Sequence, residues 1–511
     1  MKDKIKVFWK EKGAGAIAPT LVVTSIFFVT YFGFGIENSM IGPFATLSFL
    51  RFRDLKRHYS CMAKTFVIYV VMALLSYVAL INVPLCIIVN GAALFWICSL
   101  LIDEYQMSNY FPPGMALIFF QIAPISTPGA LLTRIEALAA SFLIVFVFLF
   151  VLNIGKKNTK LEDLASEGQM KCYLLSKAIK EGDDEFAEKL KEQICKGNRR
   201  MSAIIYETNR SAIRSFEKVN VFSRYVGLFE ACVYEATSDE SIEEKLNNIE
   251  VLLQRIAYVK KNEANDNRRL KFRHSKFDIR LVRFRFGLRQ VFVTMPSLVF
   301  AYVTQFPNAY WLTISIFFML IPYQDNTANR VKQRVVGTLR GILFCMLLFF
   351  IFRGFYERVA IMTIFNFLIY TAGSYDSMVS YITASALALN AFNSGVLMML
   401  IERVIYTLVG ALITLITNKR VFATRKDICA LVTEEELEKI RDQIENEIPF
   451  IEDREEKLHR VNECVIKAYM LGNSYTQYTS EDEAKRYLHP YMMGIMSTIR
   501  NKIDPDNGAG A

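Results

Sequence analysis

Residues 310–344 read YWLTISIFFMLIPYQDNTANRVKQRVVGTLRGILF. The aromatic pair Tyr310-Trp311 opens an apolar run that stops at Pro322. A polar stretch follows, then the basic cluster Arg330, Lys332 and Arg334. A second apolar run starts at Gly337-Thr338, with Arg340 near its beginning. Aromatic side chains suit a bilayer interface, and clustered Lys and Arg suit the cytoplasmic one. The stretch therefore predicts a helical hairpin that enters from outside and turns, through a polar loop, on the cytoplasmic face.

The same contrast runs through all 511 residues. The chain is 53% hydrophobic yet 22% charged, with a mean hydropathy of +0.25. Both figures fit one molecule only if charge and apolarity are segregated. Residues 14–153 and 286–417 are largely apolar, and 154–283 and 418–511 hold most of the charge. Several apolar runs approach 20 uncharged residues, the length that spans a bilayer. This excludes an ordinary soluble protein with a large core. The net charge of +10 sits largely beside apolar runs, where it fits topology and anionic lipid rather than nucleic acid.

The first half divides into apolar runs at about 14–34, 38–50, 62–82, 84–102, 109–124 and 129–153. The second divides at about 286–303, 309–323, 336–352, 356–373, 378–393 and 396–417. The expected fold is thus an all-α, polytopic membrane protein. It has two parallel six-helix transmembrane repeats, residues 1–153 and 284–417, plus helical cytoplasmic regions at 154–283 and 418–511. Basic residues crowd the amphipathic lead 1–13, residues 51–57 and 156–160, and are missing near 35–38, 82–84 and 125–128. That asymmetry puts both termini in the cytoplasm, and the acidic pair Asp103-Glu104 counts little in it. Ile17–Phe34 has no small-residue cleavage site and reads as a retained helix. The basic stretch Arg268–Arg285 suits either a helix on the lipid surface or a solvated face, and the tail Asn507–Ala511 reads as disordered. Thr237–Glu240, Ser241–Glu244, Thr433–Glu436 and Ser480–Glu483 each carry the spacing of a capping box.

The halves align with each other. An offset of 277 brings Arg53 onto Arg330 and Arg57 onto Arg334. The last run of each half also matches, with Arg134 near Arg403 and Glu136 near Glu402. An even number of runs per half gives both the same orientation, a parallel duplication about an axis along the membrane normal.

The residues Tyr310, Trp311, Thr327, Arg330, Arg334, Gly337, Thr338 and Gly341 form a pattern that resembles the fusaric-acid-resistance-like (FUSC) family. That family includes bacterial aromatic acid exporters and is related to plant malate channels. The resemblance implies an exporter of small organic anions such as aromatic carboxylic acids in the cell (inner) membrane. It also implies the alternative of a passive, malate-channel-like anion channel. A membrane-anchored helical scaffold or sensor is a reading of another class. The expected partners are a small organic anion, membrane lipid, a second copy of the chain and a periplasmic adaptor protein. The first half lacks the Tyr-Trp and Gly-Thr elements.

The residues offer their own pointers. The second and eighth runs are too short to span ~30 Å at 1.5 Å per residue, and Pro112-Pro113 interrupts the fifth. Short or broken segments at matching places point to a transport site, because irregular backbone is tolerated beside a cavity. They are also compatible with helices shielded among longer neighbours. Arg134 and Arg403 lie within apolar runs, where a guanidinium can grip a carboxylate with two bonds. Snorkelling, or pairing with Glu136 and Glu402, is the other role open to them. Lys64 and Arg340, near the inner face, attract anions or snorkel. Tyr310 and Trp311 stack an aromatic substrate or anchor at the interface. The chain carries no G-x-x-x-x-G-K-[ST], so an ATP-driven pump made by this chain alone is not expected. Its four His and nine Cys show no metal-ligand spacing. No enzyme, cofactor or metal is expected.

Overall fold

The computed structural model describes residues 12–53, 59–102, 105, 108–154, 159–211, 219–261, 270, 280–322, 324–352, 354–390 and 396–503. The lead before Lys12, Arg57, the Asp103-Glu104 pair, most of Arg268–Arg285 and the Asn507–Ala511 tail lie outside them.

The described residues form helices and no strands. The first half consists of α1 (Ala14–Phe34), α2 (Ile41–Phe52), α3 (Tyr59–Ala79), α4 (Val83–Leu101), α5 (Phe111–Ile122) and α6 (Pro128–Asn153). A first soluble segment follows, with α7 (Lys160–Glu181), α8 (Asp184–Ser211), α9 (Val219–Thr237) and α10 (Ile242–Lys261). The second half holds α11 (Val282–Thr304), α12 (Tyr310–Met319), α13 (Gln324–Ile351), α14 (Phe355–Thr371), α15 (Tyr375–Asn390) and α16 (Val396–Arg420). The chain closes with α17 (Lys426–Asp442), α18 (Arg454–Tyr475) and α19 (Glu481–Thr498).

Local chemistry sets several boundaries. Asn82 accepts from Leu85 N at 2.9 Å, and Thr127 accepts from Ala130 N at 3.2 Å. Each caps a helix whose first turn carries a proline, where a missing N–H costs nothing. Thr159–Glu162 and Ser480–Glu483 form capping boxes.

Six helices are long and apolar enough to cross a membrane: α1, α4, α6 and α11 over their whole length, α3 from Cys61 and α16 from Met398. The chain is a multi-pass membrane protein. The short helices α2, α5 and α12 have 12, 12 and 10 residues, about 15–18 Å at 1.5 Å per residue. Hydrogen bonds nevertheless sort the turns at their ends into two layers. On one layer Arg134 reaches Ala123 O, Tyr302 reaches Leu80 O, and Tyr406 reaches Pro307 O. On the other, Arg289 reaches Ile321 O, Thr424 reaches Pro322 O, and Arg51 reaches Glu207 of α8.

The helix pairs α1·α2, α2·α6, α3·α6, α3·α5 and α4·α5 pack together in the first half, and α11·α12, α12·α16, α13·α16, α13·α15 and α14·α15 pack in the second. Between halves, α4 packs on α11 and α1 packs on α14. The two soluble segments share one core, in which Val465, Ile466, Tyr469 and Met470 of α18 pack among residues of α7–α10. An apolar stripe on each helix requires such a partner.

Three sequence expectations are corrected. The stretch after Tyr323 is helix, not loop: α13 starts at Gln324 and carries Thr327, Arg330, Lys332 and Arg334 on its first turns. It holds no Gly or Pro before Gly337, and low hydropathy there marks a polar environment, not a broken helix. Pro112-Pro113 starts α5 and does not interrupt it, since proline suits the first helical turn. Thr237 ends α9 and Thr433 lies inside α17; their hydroxyls bond back to Val233 O and Cys429 O. The twelve apolar runs all form helices, and among the described residues the six named above are long and apolar enough to span on their own.

Candidate functional site

The six residues singled out in the sequence fall in different places. Arg134 is buried, and all three of its guanidinium nitrogens donate to the protein. Nε reaches Asn38 Oδ1 at 3.1 Å, Nη1 reaches Phe120 O at 2.9 Å and Nη2 reaches Ala123 O at 2.6 Å. Arg340 is exposed and pairs with Asp376 at the start of α15, 2.5 Å away. Lys64 lines a cavity in the first half. Tyr310 donates to Asn308 Oδ1 at 3.0 Å. Trp311 is buried with the guanidinium of Arg403 over its ring, 5.2 Å from the centroid. The structure thus brings Tyr310, Trp311 and Arg403 together. The expected pairing of each arginine with its neighbouring glutamate does not form. Side chains one or two positions apart on a helix do not face each other, and Glu402 instead accepts from Asn308 Nδ2 at 2.6 Å.

The same face of α12 holds a second arginine. Arg334 of α13 sits over Phe318, 4.7 Å from its centroid. Trp311 and Phe318 are seven residues apart, so they lie two turns, about 10 Å, apart on one face. Ser315 falls between them on that face, and α16 comes close enough there that a Cβ on Gly410 would lie 3.0 Å from Ser315 Cβ. Thr338 follows Arg334 by one turn on α13, and Thr407 follows Arg403 by one turn on α16. Arg334 and Arg403 are near enough for their charges to oppose each other. The result is a polar seam where α12, α13 and α16 meet.

This seam is closed and unsatisfied. Arg334 is 1% exposed and Arg403 5%. Nε and Nη1 of Arg334 have no hydrogen-bond partner, nor do the hydroxyls of Ser315, Thr338 and Thr407. Each buried polar atom left without a bond costs about 1–3 kcal/mol, and more when charged. A folded chain holds such a set where a ligand offsets the cost. The groups are donors of positive or neutral character, which is the chemistry that receives an oxyanion.

Among the described residues, several polar side chains of α2, α3 and α6 in the first half find partners. Ser48 and Tyr69 hydroxyls meet at 3.2 Å, Thr46 bonds Gly42 O at 2.8 Å, Ser76 bonds Leu117 O at 3.0 Å, and Ser141 bonds Ala137 O at 2.7 Å. Near the soluble helices this half instead has a cavity of about 70 Å³, lined by Ser48, Arg51, Lys64, Tyr69 and Asn109 among others.

Comparison with known proteins bears on the seam. Residues 293–417 match the family model described as fusaric acid resistance protein-like. The matched segment is similar to that family in sequence. It contains α12, α13, α14, α15, every seam residue, and α16 up to Thr417. An uncharacterized protein of Synechocystis sp. is 29% identical over 145 residues, 28% of this chain and 19% of that protein. The match therefore spans about a fifth of that relative's length. No solved structure matches the chain.

Within the matched segment the sequence singled out Arg403, Trp311 and Tyr310 as site candidates, and gave Arg334 a place in the basic cluster, the repeat alignment and the family pattern but not in a site. The available signal was the spacing of Arg330, Arg334, Thr338 and Gly341, which line one face of a continuous helix. Gly337 and Gly341 permit that face to approach α15: an added Cβ would lie 2.6 Å from Asp376 O and 2.5 Å from Ser380 O.

Proposed function

We propose that this chain is a membrane transporter that exports small organic anions, aromatic carboxylic acids among them, with the α12–α13–α16 seam as its anion site. The observation that carries this reading is the buried guanidinium of Arg334, with two nitrogens lacking partners inside the segment that matches the fusaric acid resistance protein-like family. A carboxylate accepts two parallel bonds from one guanidinium. Hydroxyls of Thr338 and Ser315 supply further donors, and Phe318 and Trp311 supply apolar faces for a ring. Arg403 adds charge without an acid to cancel it, because Glu402 is turned to Asn308.

A closed seam favours a carrier that opens to one side at a time. Opening is helped where helices are short, as α12 is. With an interior-negative potential, outward movement of one negative charge is favoured by about 2.3 kcal/mol per 100 mV. The chain acts in this reading without catalysis. The termini and soluble module face the cytoplasm of a cell whose inner membrane holds the protein, as the basic-residue asymmetry supports. Membrane lipid, a second copy and a periplasmic adaptor protein complete the partners this reading expects.

The test is flux of radiolabelled carboxylates, benzoate and short dicarboxylates included, from proteoliposomes holding the full chain. Saturable flux that falls ten-fold or more in Arg334→Gln, at equal folded protein, is the expected result. Flux unchanged in that variant overturns the seam as the site. Linear, unsaturable current assigns the chain to the channel class instead.

A further inference from the structure

The first-half cavity sits where four membrane helices end against the soluble module. Leu47, Ser48 and Arg51 come from the end of α2, and Lys64, Ile68 and Tyr69 from the start of α3. Leu101 comes from the end of α4, and Asn109, Pro112 and Pro113 from the approach to α5. Its volume of about 70 Å³ compares with the 10–15 Å³, on the same measure, that one water needs. That is room for about five waters, or for a carboxylate on a short stem. Arg51 and Lys64 are cationic, Ser48, Thr65, Tyr69 and Asn109 offer hydroxyl, phenol and amide functions, and the remaining wall is apolar.

A carboxylate already reaches this wall. Glu207, from α8 of the soluble module, forms an ion pair with Arg51, its Oε1 accepting from both Nε and Nη2. The two residues are 156 positions apart, so the contact is made by the folded module and not by local chain. Arg51 is partly buried, its side chain 30% exposed, and that of Glu207 is 16% exposed.

We propose that the cavity is a second anion site, specific for a small carboxylate, and that Glu207 occupies its Arg51 wall as a tethered competitor. Three features support this together: a partly open cavity of the right size, two cations on its wall, and a carboxylate of the chain bonded to one of them. A free carboxylate that enters exchanges with Glu207 for the Arg51 guanidinium, which loosens α8 from the end of α2. The site thereby couples ligand occupancy to the seating of the soluble module. It stands on first-half residues and Glu207 of α8, and does not require the seam to be the transport site.

The experiment titrates acetate into the full chain in nanodiscs of zwitterionic lipid, with binding read by saturation-transfer NMR on the acetate methyl. Glu207→Gln removes the competitor, so acetate affinity is expected to rise about ten-fold or more over wild type. Adding Arg51→Gln to that variant should abolish the gain. Where the double variant does not fold, Lys64→Gln on the Glu207→Gln background should also lower the affinity. Adding Arg334→Gln should leave the gain intact, because that residue belongs to the seam. Acetate affinity equal in wild type and Glu207→Gln overturns the proposal. So does a gain that survives Arg51→Gln or Lys64→Gln, or one that disappears only with Arg334→Gln.

Discussion

Asn38 Oδ1 accepts from Arg134 Nε at 3.1 Å, across 96 residues of chain. The matching place in the second half holds Asn308, which donates to Glu402 at 2.6 Å. In both halves an asparagine in the turn before a short helix bonds a charged residue of the sixth helix. The bonded residue differs, Arg134 in one half and Glu402, the neighbour of the aligned Arg403, in the other. The first-half version is a tie that holds α2, α5 and α6 at one layer.

Arg134→Gln is therefore expected to act on stability. The shorter side chain leaves the carbonyls of Phe120 and Ala123 without their donor, at a cost of about 3 kcal/mol by the usual worth of charged hydrogen bonds. The melting temperature in detergent should fall, and flux per folded molecule should stay at the wild-type value. Wild-type stability with impaired flux would assign Arg134 to the transport site.

The seam makes a prediction with opposite signs. Thr338 is buried and its hydroxyl lacks a partner. Thr338→Val keeps the shape and removes an unsatisfied group, so stability should hold or rise by about 1 kcal/mol. If the hydroxyl bonds the substrate, affinity should fall by about 0.5–1.5 kcal/mol, roughly 2- to 12-fold. Thermal unfolding and transport KM, measured on one preparation, check both. A fall in stability with unchanged KM removes Thr338 from the site.

Much of this architecture was legible because hydropathy and caps are local. The runs read from 84 and 129 begin within one residue of the observed helix starts at Val83 and Pro128. Arg403 over Trp311 was half legible, since both were singled out for separate reasons. The basic stretch from Arg330 to Arg334 was misread because positive charge beside an apolar run fits topology equally well. What makes Arg334 a candidate is tertiary: Phe318 beneath it, and Nε and Nη1 without a hydrogen-bond partner among the described residues. Glu207 was illegible for the same reason, its partner lying in a different half of the fold.

The soluble module carries a group whose charge should matter to pH. Glu230 is buried among α8, α9 and α18, accepting from the Tyr469 hydroxyl and from Asn198 Nδ2 at 3.1 Å. Desolvation pushes its carboxyl above the usual range, against the lowering effect of those two bonds and of Arg199. A carboxyl raised in the folded state favours folding while protonated, so that contribution is full below the unfolded value near 4.3. It is lost as pH rises through the folded value. Glu230→Gln should thus stabilise the full chain at neutral pH, by about 1 kcal/mol for a retained neutral hydrogen bond. Asn198 Oδ1, which has no partner, is available to accept from the new amide. Thermal unfolding from pH 5 to 8 tests this, and a variant less stable than wild type at pH 7.5 would mean that the ionised carboxylate is the stabilising form.

Arg289 of α11 joins the membrane half to the soluble module. Its side chain is fully buried and donates to Val421 O, Ile321 O, Asn418 Oδ1, Phe422 O and Thr424 Oγ1, at 2.6–3.4 Å. Those acceptors lie at the end of α12 and along the exit from α16, where Phe422 adopts a left-handed φ of 44°. A planar fork with five donors can hold that strained turn; an ammonium with three cannot match its directions. Arg289→Lys is therefore expected to destabilise by about 2–4 kcal/mol, from at least two lost charge-assisted bonds. The loss should appear first as proteolysis after α16, with α1–α6 still protected. Limited proteolysis followed by mass spectrometry reads this directly. Cleavage in the variant that is no faster than in wild type near residues 421–425 would show that the packing of α17 and α18, and not the Arg289 knot, holds the joint.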